Sequence, residues 1–162
     1  MDNTLKVDLP LIELVNLVYN KKTRSIKRIG PHNKDILEYI EGSLLGDGYL
    51  EKHGNGSRLC LQKEASNKAY LIWSHKFLAE RGYCNPILPL IKSRIGNKGK
   101  IRYVLRIKTW TYTSLNEIQK KKQSDFNLTP FMLAIWIKDD GCRSGKGLKL
   151  ATNNFTYDEC IK

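Results

Sequence analysis

From Asn33 onward the apolar and polar positions alternate between a helical and an extended period. Ile36, Leu37, Ile40, Leu44 and Leu45 recur at helical spacing, with Asn33 or Asp35 placed to cap the start and Gly46 to end it. Two extended segments follow, YLEKH and SRLCLQ, joined by the turn-forming GNG at 54–56. Ser66 is placed to cap a second helix, SNKAYLIWSHKFLAERG, which Gly82 stops. IKSRI and IRYVLRIKT, separated by GNKGK, read as a β-hairpin. In its second strand Ile101, Tyr103, Leu105 and Ile107 face one way, and Arg102, Arg106 and Lys108 the other; Lys92 and Arg94 share a face of the first. A third helix around TYTSLNEIQ runs into Lys120, Lys121 and Lys122. Thr129 as N-cap and Pro130 at the first helical position open a fourth, which continues through FMLAIWIKDDG. GLKLATNN is predicted as a strand, and Thr156 starts a last helix.

Residues 1–30 read as a basic leader: LPLIELVNLVY, a short amphipathic helix, then KKTRSIKRIG, a linker or phosphate-touching arm. A length of 162 residues suits one domain, or one domain plus a fragment of another. No apolar run approaches the roughly 20 residues that span a bilayer, and no signal peptide opens the chain. Cys60, Cys84, Cys142 and Cys160 are widely spaced, which points to free, mostly buried thiols rather than a zinc site. The charge changes the picture more. The net +12 favours a polyanionic partner. It is also segregated: from Arg81 to Lys122 there are eleven basic residues and one acid, Glu117. A hairpin with one apolar face and one cationic face suits a phosphate backbone, and its arginines can read base edges. The alternative is a solvated sheet face, which usually mixes both signs.

Two helices end in the same unusual way. IEGSLLGDG, residues 40–48, and LAIWIKDDG, residues 133–141, both finish with aspartate then glycine: Asp47–Gly48 and Asp140–Gly141. A helix C-terminus is partially negative, so each aspartate costs about 0.3–1 kcal/mol there. Its repetition suggests compensation by a cation, and carboxylates with free helix-end carbonyls suit Mg²⁺. Small residues Gly42, Gly46 and Ala134 would let the two helices approach closely and bring the aspartates together. Two carboxylates holding a divalent ion beside a basic sheet form a phosphodiester-cleaving arrangement.

Both segments resemble the dodecapeptide motifs of the LAGLIDADG homing endonucleases and their RNA maturase relatives, in the two-motif, intron-encoded organellar branch. Gly42, Leu44, Gly46, Asp47 and Gly48 match in the first copy; Leu133, Ala134, Ile137, Asp139, Asp140 and Gly141 match in the second. Ser43 and Leu45 depart from the motif, and Lys138 sets a charge near the helix interface. The resemblance covers residues 29–162 and implies an α+β fold, αββαββα, with a four-stranded antiparallel saddle on DNA and the start of a second pseudo-symmetric repeat. It divides the chain into a leader (1–30), a first subdomain (31–128) and a second motif helix with a truncated second subdomain (129–162). It implies metal-binding, catalytic acids at Asp47 and Asp140, helped by the backbone carbonyls of Gly46 and Asp139. A polar strand residue beside the metal-bound water would be Gln62, with Asn153 in the second half. A peripheral catalytic lysine would be Lys121 or Lys122. Nucleic acid would meet Arg58, Gln62, Lys92, Arg94, Arg102, Arg106 and Lys108.

Asp47 and Asp140 are 93 residues apart, room for a full repeat, but only 22 residues follow Asp140. The chain alone is therefore expected to bind half a site without cutting both strands, and to need a complementary C-terminal half or a ribonucleoprotein partner. Homodimerisation is disfavoured because both motif helices are present. The first expected function is a Mg²⁺-dependent, site-specific double-strand DNA endonuclease. The alternative is a non-catalytic maturase or ribonucleoprotein component that binds structured RNA. An abundance of lysine, asparagine and isoleucine fits an AT-rich organellar gene, and hence a location in the mitochondrion or another organelle.

Overall fold

The computed structural model describes residues 24, 27, 28, 30–64, 68–96, 99–153 and 155–161. Helix α1 (Lys34–Leu45) leads into strands β1 (Tyr49–His53) and β2 (Gly56–Glu64), then helix α2 (Lys68–Glu80). Strands β3 (Lys92–Ile95) and β4 (Ile101–Lys108) precede helix α3 (Leu115–Lys120) and a 3₁₀ turn, Gln123–Asp125. Helix α4 (Pro130–Asp140), the ribbon β5 (Cys142–Ser144) and β6 (Gly147–Lys149), and helix α5 (Tyr157–Cys160) complete the order. The first seven elements are the expected αββαββα unit. Among the described residues no helix is long and apolar enough to cross a membrane.

The four strands form one antiparallel sheet in the order β1-β2-β4-β3. Helices cover one of its faces. Leu59, Leu61, Leu105 and Ile107 point into a core shared with Ile36, Tyr39 and Ile40 of α1, Leu71 and Leu78 of α2, and Leu115 of α3. Each such side chain withdrawn from water contributes about 1.5–3 kcal/mol. A smaller cluster, Leu45, Met132 and Trp136, gathers on the other side of α4 with Leu150 and Phe155 packed against it. The second repeat begins there.

Local signals explain most boundaries. The Thr129 hydroxyl accepts the Met132 amide at 3.2 Å, and Pro130 occupies the first turn. Thr156 and Glu159 cap each other's backbone at the start of α5. Asn33 sits at the N-cap of α1 but makes no side-chain capping bond.

Several expectations need correction. Ile101 and Tyr103 are 58% and 60% exposed, so the apolar face of β4 is covered only from Leu105 inward. The predicted strand GLKLATNN is only β6 and pairs with β5 as a separate exposed ribbon. Asn153 therefore lies in a turn, not on a strand. All four cysteines are free, but only Cys60 and Cys84 are buried. Arg28 is packed into the body: its guanidinium lies 5.3 Å from the Trp110 ring and bonds the Thr111 carbonyl at 3.5 Å. It is thus unavailable as a phosphate-touching arm. The apolar leader stretch and the proposed cap Ser66 lie outside the described residues.

Candidate functional site

Residues paired directly across strands share a face of the sheet. The pairs Gln62–Arg106, Cys60–Lys108, Arg94–Arg102 and Lys92–Val104, with alternation along each strand, put Arg58, Gln62, Lys92, Arg94, Arg102, Arg106 and Lys108 on one face. It is the face away from the helices. All seven side chains expected at the nucleic acid are brought together, but the face is not of one sign. Glu51 takes Arg58 at 2.7 Å and Lys108 at 2.9 Å, and Glu64 lies 3.5 Å from Arg102. Bonds from Lys108 and Arg58 hold the Glu51 carboxyl down at about 2. The Gln62 carbonyl accepts Arg106 Nε at 2.9 Å and Nη2 at 2.5 Å, which fixes both side chains along the sheet. Among the described residues Lys92 and Arg94 make no ion pair and are the most available cations.

The seam between α1 and α4 lies at the edge of this face. A Cβ on Gly42 would come within 2.9 Å of the Met132 carbonyl, and one on Gly46 would collide with the Asp139 Cβ. The two helix backbones therefore touch through glycine, as expected. Ala134 is not part of that contact: it is exposed on the opposite side of α4. The seam positions of α4 are Ile135 and Asp139, which face Gly42 and Gly46.

Close packing brings the acids together. The Asp140 carboxyl lies within hydrogen-bonding reach of Asp47; burial raises it above the ordinary aspartate range, and the Asp47 charge raises it further. Asp47 is about half exposed, whereas the Asp139 side chain is 1% exposed. Lys63 joins them. Its ammonium ion-pairs with Asp47, lies 3.2 Å from Asp139 Oδ1, and donates to the Asp139 carbonyl at 3.2 Å. Burial alone would lower the Lys63 ammonium, but the hydrogen bond to Asp47 and the charge of Asp139 outweigh it, and the net shift is upward. Asp139 is pushed up by burial, with Lys63 opposing. Among the described residues no side chain donates a directional hydrogen bond to either Asp139 carboxylate oxygen, so Lys63 holds it by charge.

Lys63 was missed by the sequence reading. Its strand neighbours Leu59 and Leu61 define the helix-facing side of β2, and a lysine continuing that side needs a carboxylate partner. The lysines expected near the acids are elsewhere: Lys121 pairs with Glu41 at 3.3 Å, and the Lys122 amide bonds Asp125 at 3.0 Å. Asp47, Asp139, Gln62, Lys63, Arg94 and Arg102 line one cleft of about 430 Å³, so the seam opens directly onto the basic sheet face.

The donor set is hard: two carboxylates and the helix-end carbonyls of Gly46 and Asp139. Burial raises Asp140 most and the Asp47 charge adds to it; a cation between the two would relieve the like-charge part. Such a set fits Mg²⁺, which keeps several waters and takes few protein ligands.

Comparison with known proteins bears on this geometry. A profile of the LAGLIDADG DNA endonuclease family matches residues 37–162. The cytochrome b mRNA maturase bI2 of Saccharomyces cerevisiae is 46% identical over 90% of the chain, and that of Debaryomyces hansenii 45% over 80%. The chain spans 39% and 54% of those relatives' lengths. The solved structure of the homing endonuclease I-WcaI bound to its DNA recognition sequence superposes with a TM-score of 0.66 at 21% identity. That match covers 98% of this chain and 73% of that one, a likeness of fold.

Proposed function

The chain belongs to the LAGLIDADG DNA endonuclease family, and from that premise we propose that it binds intron nucleic acid across its four-stranded sheet and assists splicing as a maturase. The observation that carries this is the gathering of Arg58, Gln62, Lys92, Arg94, Arg102, Arg106 and Lys108 on one face free of the helix layer. The maturases of two yeasts, similar over most of the chain, support it. We assign the protein to the mitochondrion on the cytochrome b messages named for those relatives. A complementary second half or a ribonucleoprotein would complete the surface.

One observation favours a second reading, a site-specific double-strand DNA endonuclease: Asp47 and Asp140 are both intact and adjacent. In either case Asp47 and Asp140 would hold Mg²⁺, with the carbonyls of Gly46 and Asp139 as helpers. Bound there, such an ion lowers the pKa of a water and neutralises charge on a phosphate. Lys63 adds positive charge in the same cleft, and its ties to Asp47 and Asp139 orient both acids. Arg106, braced by Gln62, and the free Lys92 and Arg94 position the backbone.

Asp47→Asn separates the two readings. Under the maturase reading the variant binds and splices intron RNA as the parent does, and Mg²⁺-dependent nicking of DNA spanning the intron insertion site is absent in both. Nicking by the parent that the variant loses would make the endonuclease reading correct. Failure of the parent to bind either nucleic acid would overturn both.

A further inference from the structure

The helix layer carries an aromatic feature that the saddle does not use. Along α2, Tyr70 stacks on Trp73 (centroids 5.9 Å apart, planes at 18°), and Trp73 stacks on Phe77 (5.5 Å, 29°). Phe77 and Trp73 are backed by Tyr39 of α1, and Phe77 also by Phe131 of α4. The indole is therefore held rigidly from behind while Trp73 remains 42% exposed. In front of it is an open, almost wholly apolar pocket of about 380 Å³, lined by Tyr70, Trp73, Phe131, Ala134, Ile135 and Lys138. A pocket of that size lies in the range of small-molecule sites.

The rim carries a cation. Lys138 lines the pocket and places its ammonium 5.9 Å from the Tyr70 centroid. Among the described residues it has no carboxylate partner, whereas Lys34, Lys76 and Arg81 of this layer are paired with Glu38, Glu80 and Asp35. A protein's apolar plug would gain nothing from an uncompensated lysine. A nucleotide matches both parts: a flat base for the fixed indole and a phosphate for the ammonium. Every base has a π-face, and stacking on an aromatic side chain suits unpaired strands.

We propose that this surface is a second nucleic-acid site, which stacks an unpaired base of single-stranded RNA on Trp73 and holds its phosphate with Lys138. It goes beyond the saddle reading, because α2 lies on the opposite side of the sheet from the basic face. The protein could thereby grip a duplex segment and a flanking single strand at once.

The test measures binding of a short fluorescein-labelled oligouridylate to the whole chain, with and without unlabelled duplex in saturating excess. The expected result is oligouridylate binding that survives the duplex and weakens about ten-fold in Trp73→Leu, which keeps apolar bulk but removes the π-face. Lys138→Glu, an exposed change that leaves the core untouched, should weaken it several-fold; both variants should bind duplex as the parent does. Thermal unfolding of Trp73→Leu checks its fold, and the Lys138→Glu result stands if that variant is unstable. Displacement of the oligouridylate by duplex, or indifference to both substitutions, would overturn the site. If the substitutions instead abolish binding of a protein partner and leave RNA binding unchanged, the proposal also fails. Loss of duplex binding by the parent, with oligouridylate binding intact, would count against the saddle alone.

Discussion

At the scale of single residues, the seam is governed by one lysine. Lys63 is 9% exposed and balances the almost fully buried Asp139 while contacting Asp47. Lys63→Met should destabilise the fold by about 3 kcal/mol, because it strands a buried carboxylate. The sign of its pH dependence follows from Asp139. Its folded-state pKa is raised, so the native state favours its protonated form. The penalty in Lys63→Met is therefore present at neutral pH and shrinks as the pH falls through that raised value. Urea denaturation at pH 8 and pH 5 should give a smaller difference from the parent at pH 5; an equal or larger one would contradict the pairing. Glu51 behaves oppositely. Held at about 2 by Lys108 and Arg58, it stays ionised across the working range and its pairs are lost only as the pH drops from the ordinary glutamate range toward that value. Glu51→Gln should free Arg58 and Lys108, tighten nucleic-acid binding and steepen its salt dependence. Unchanged binding by filter retention would show that those two cations do not reach phosphate.

At the scale of elements, the contact between α1 and α4 decides where the acids meet. Gly46→Ala drives a methyl into Asp139 and should cost about 1–3 kcal/mol, whereas Ala134→Leu, on the exposed side of α4, should stay within about 0.5 kcal/mol in thermal unfolding. Equal costs would mean that the seam runs elsewhere on α4. The helices, the Thr129 and Thr156 caps and the paired Asp–Gly ends were legible in the sequence because each rests on local chemistry. Ala134 was misassigned because small size does not reveal helical phase. It lies one residue, about 100°, from Ile135, which with Asp139 faces the α1 glycines. Alternation in β4 likewise gave the correct parity, but parity does not say what covers a strand. Ile101 and Tyr103 share the core side with Leu105 and Ile107 and are exposed because the core ends short of them. Lys63 escaped for a related reason: its partners come from two other elements, and only the assembled fold brings them within reach.

At the scale of the whole molecule, a net charge of +12 resolves into a basic sheet face that holds its own acids, a carboxylate seam opening beside it, and a helix layer behind. If nucleic acid lies on the sheet, its affinity should fall steeply with salt. Replacing Lys92 and Arg94 by alanine should reduce the slope of log K against log [salt] by about 0.9 for each phosphate contact removed on duplex DNA. An unchanged slope would move the binding surface elsewhere. The proposed function puts a divalent ion at Asp47 and Asp140, against the backbone of nucleic acid on that face. Fe²⁺ in place of Mg²⁺, with peroxide and reductant, turns such an ion into a local source of hydroxyl radicals. Strand scission should then cluster at one place in the bound nucleic acid, vanish in the Asp47→Asn, Asp140→Asn double variant, and persist in Lys121→Ala. Scission that is dispersed, or that survives loss of both aspartates, would contradict it.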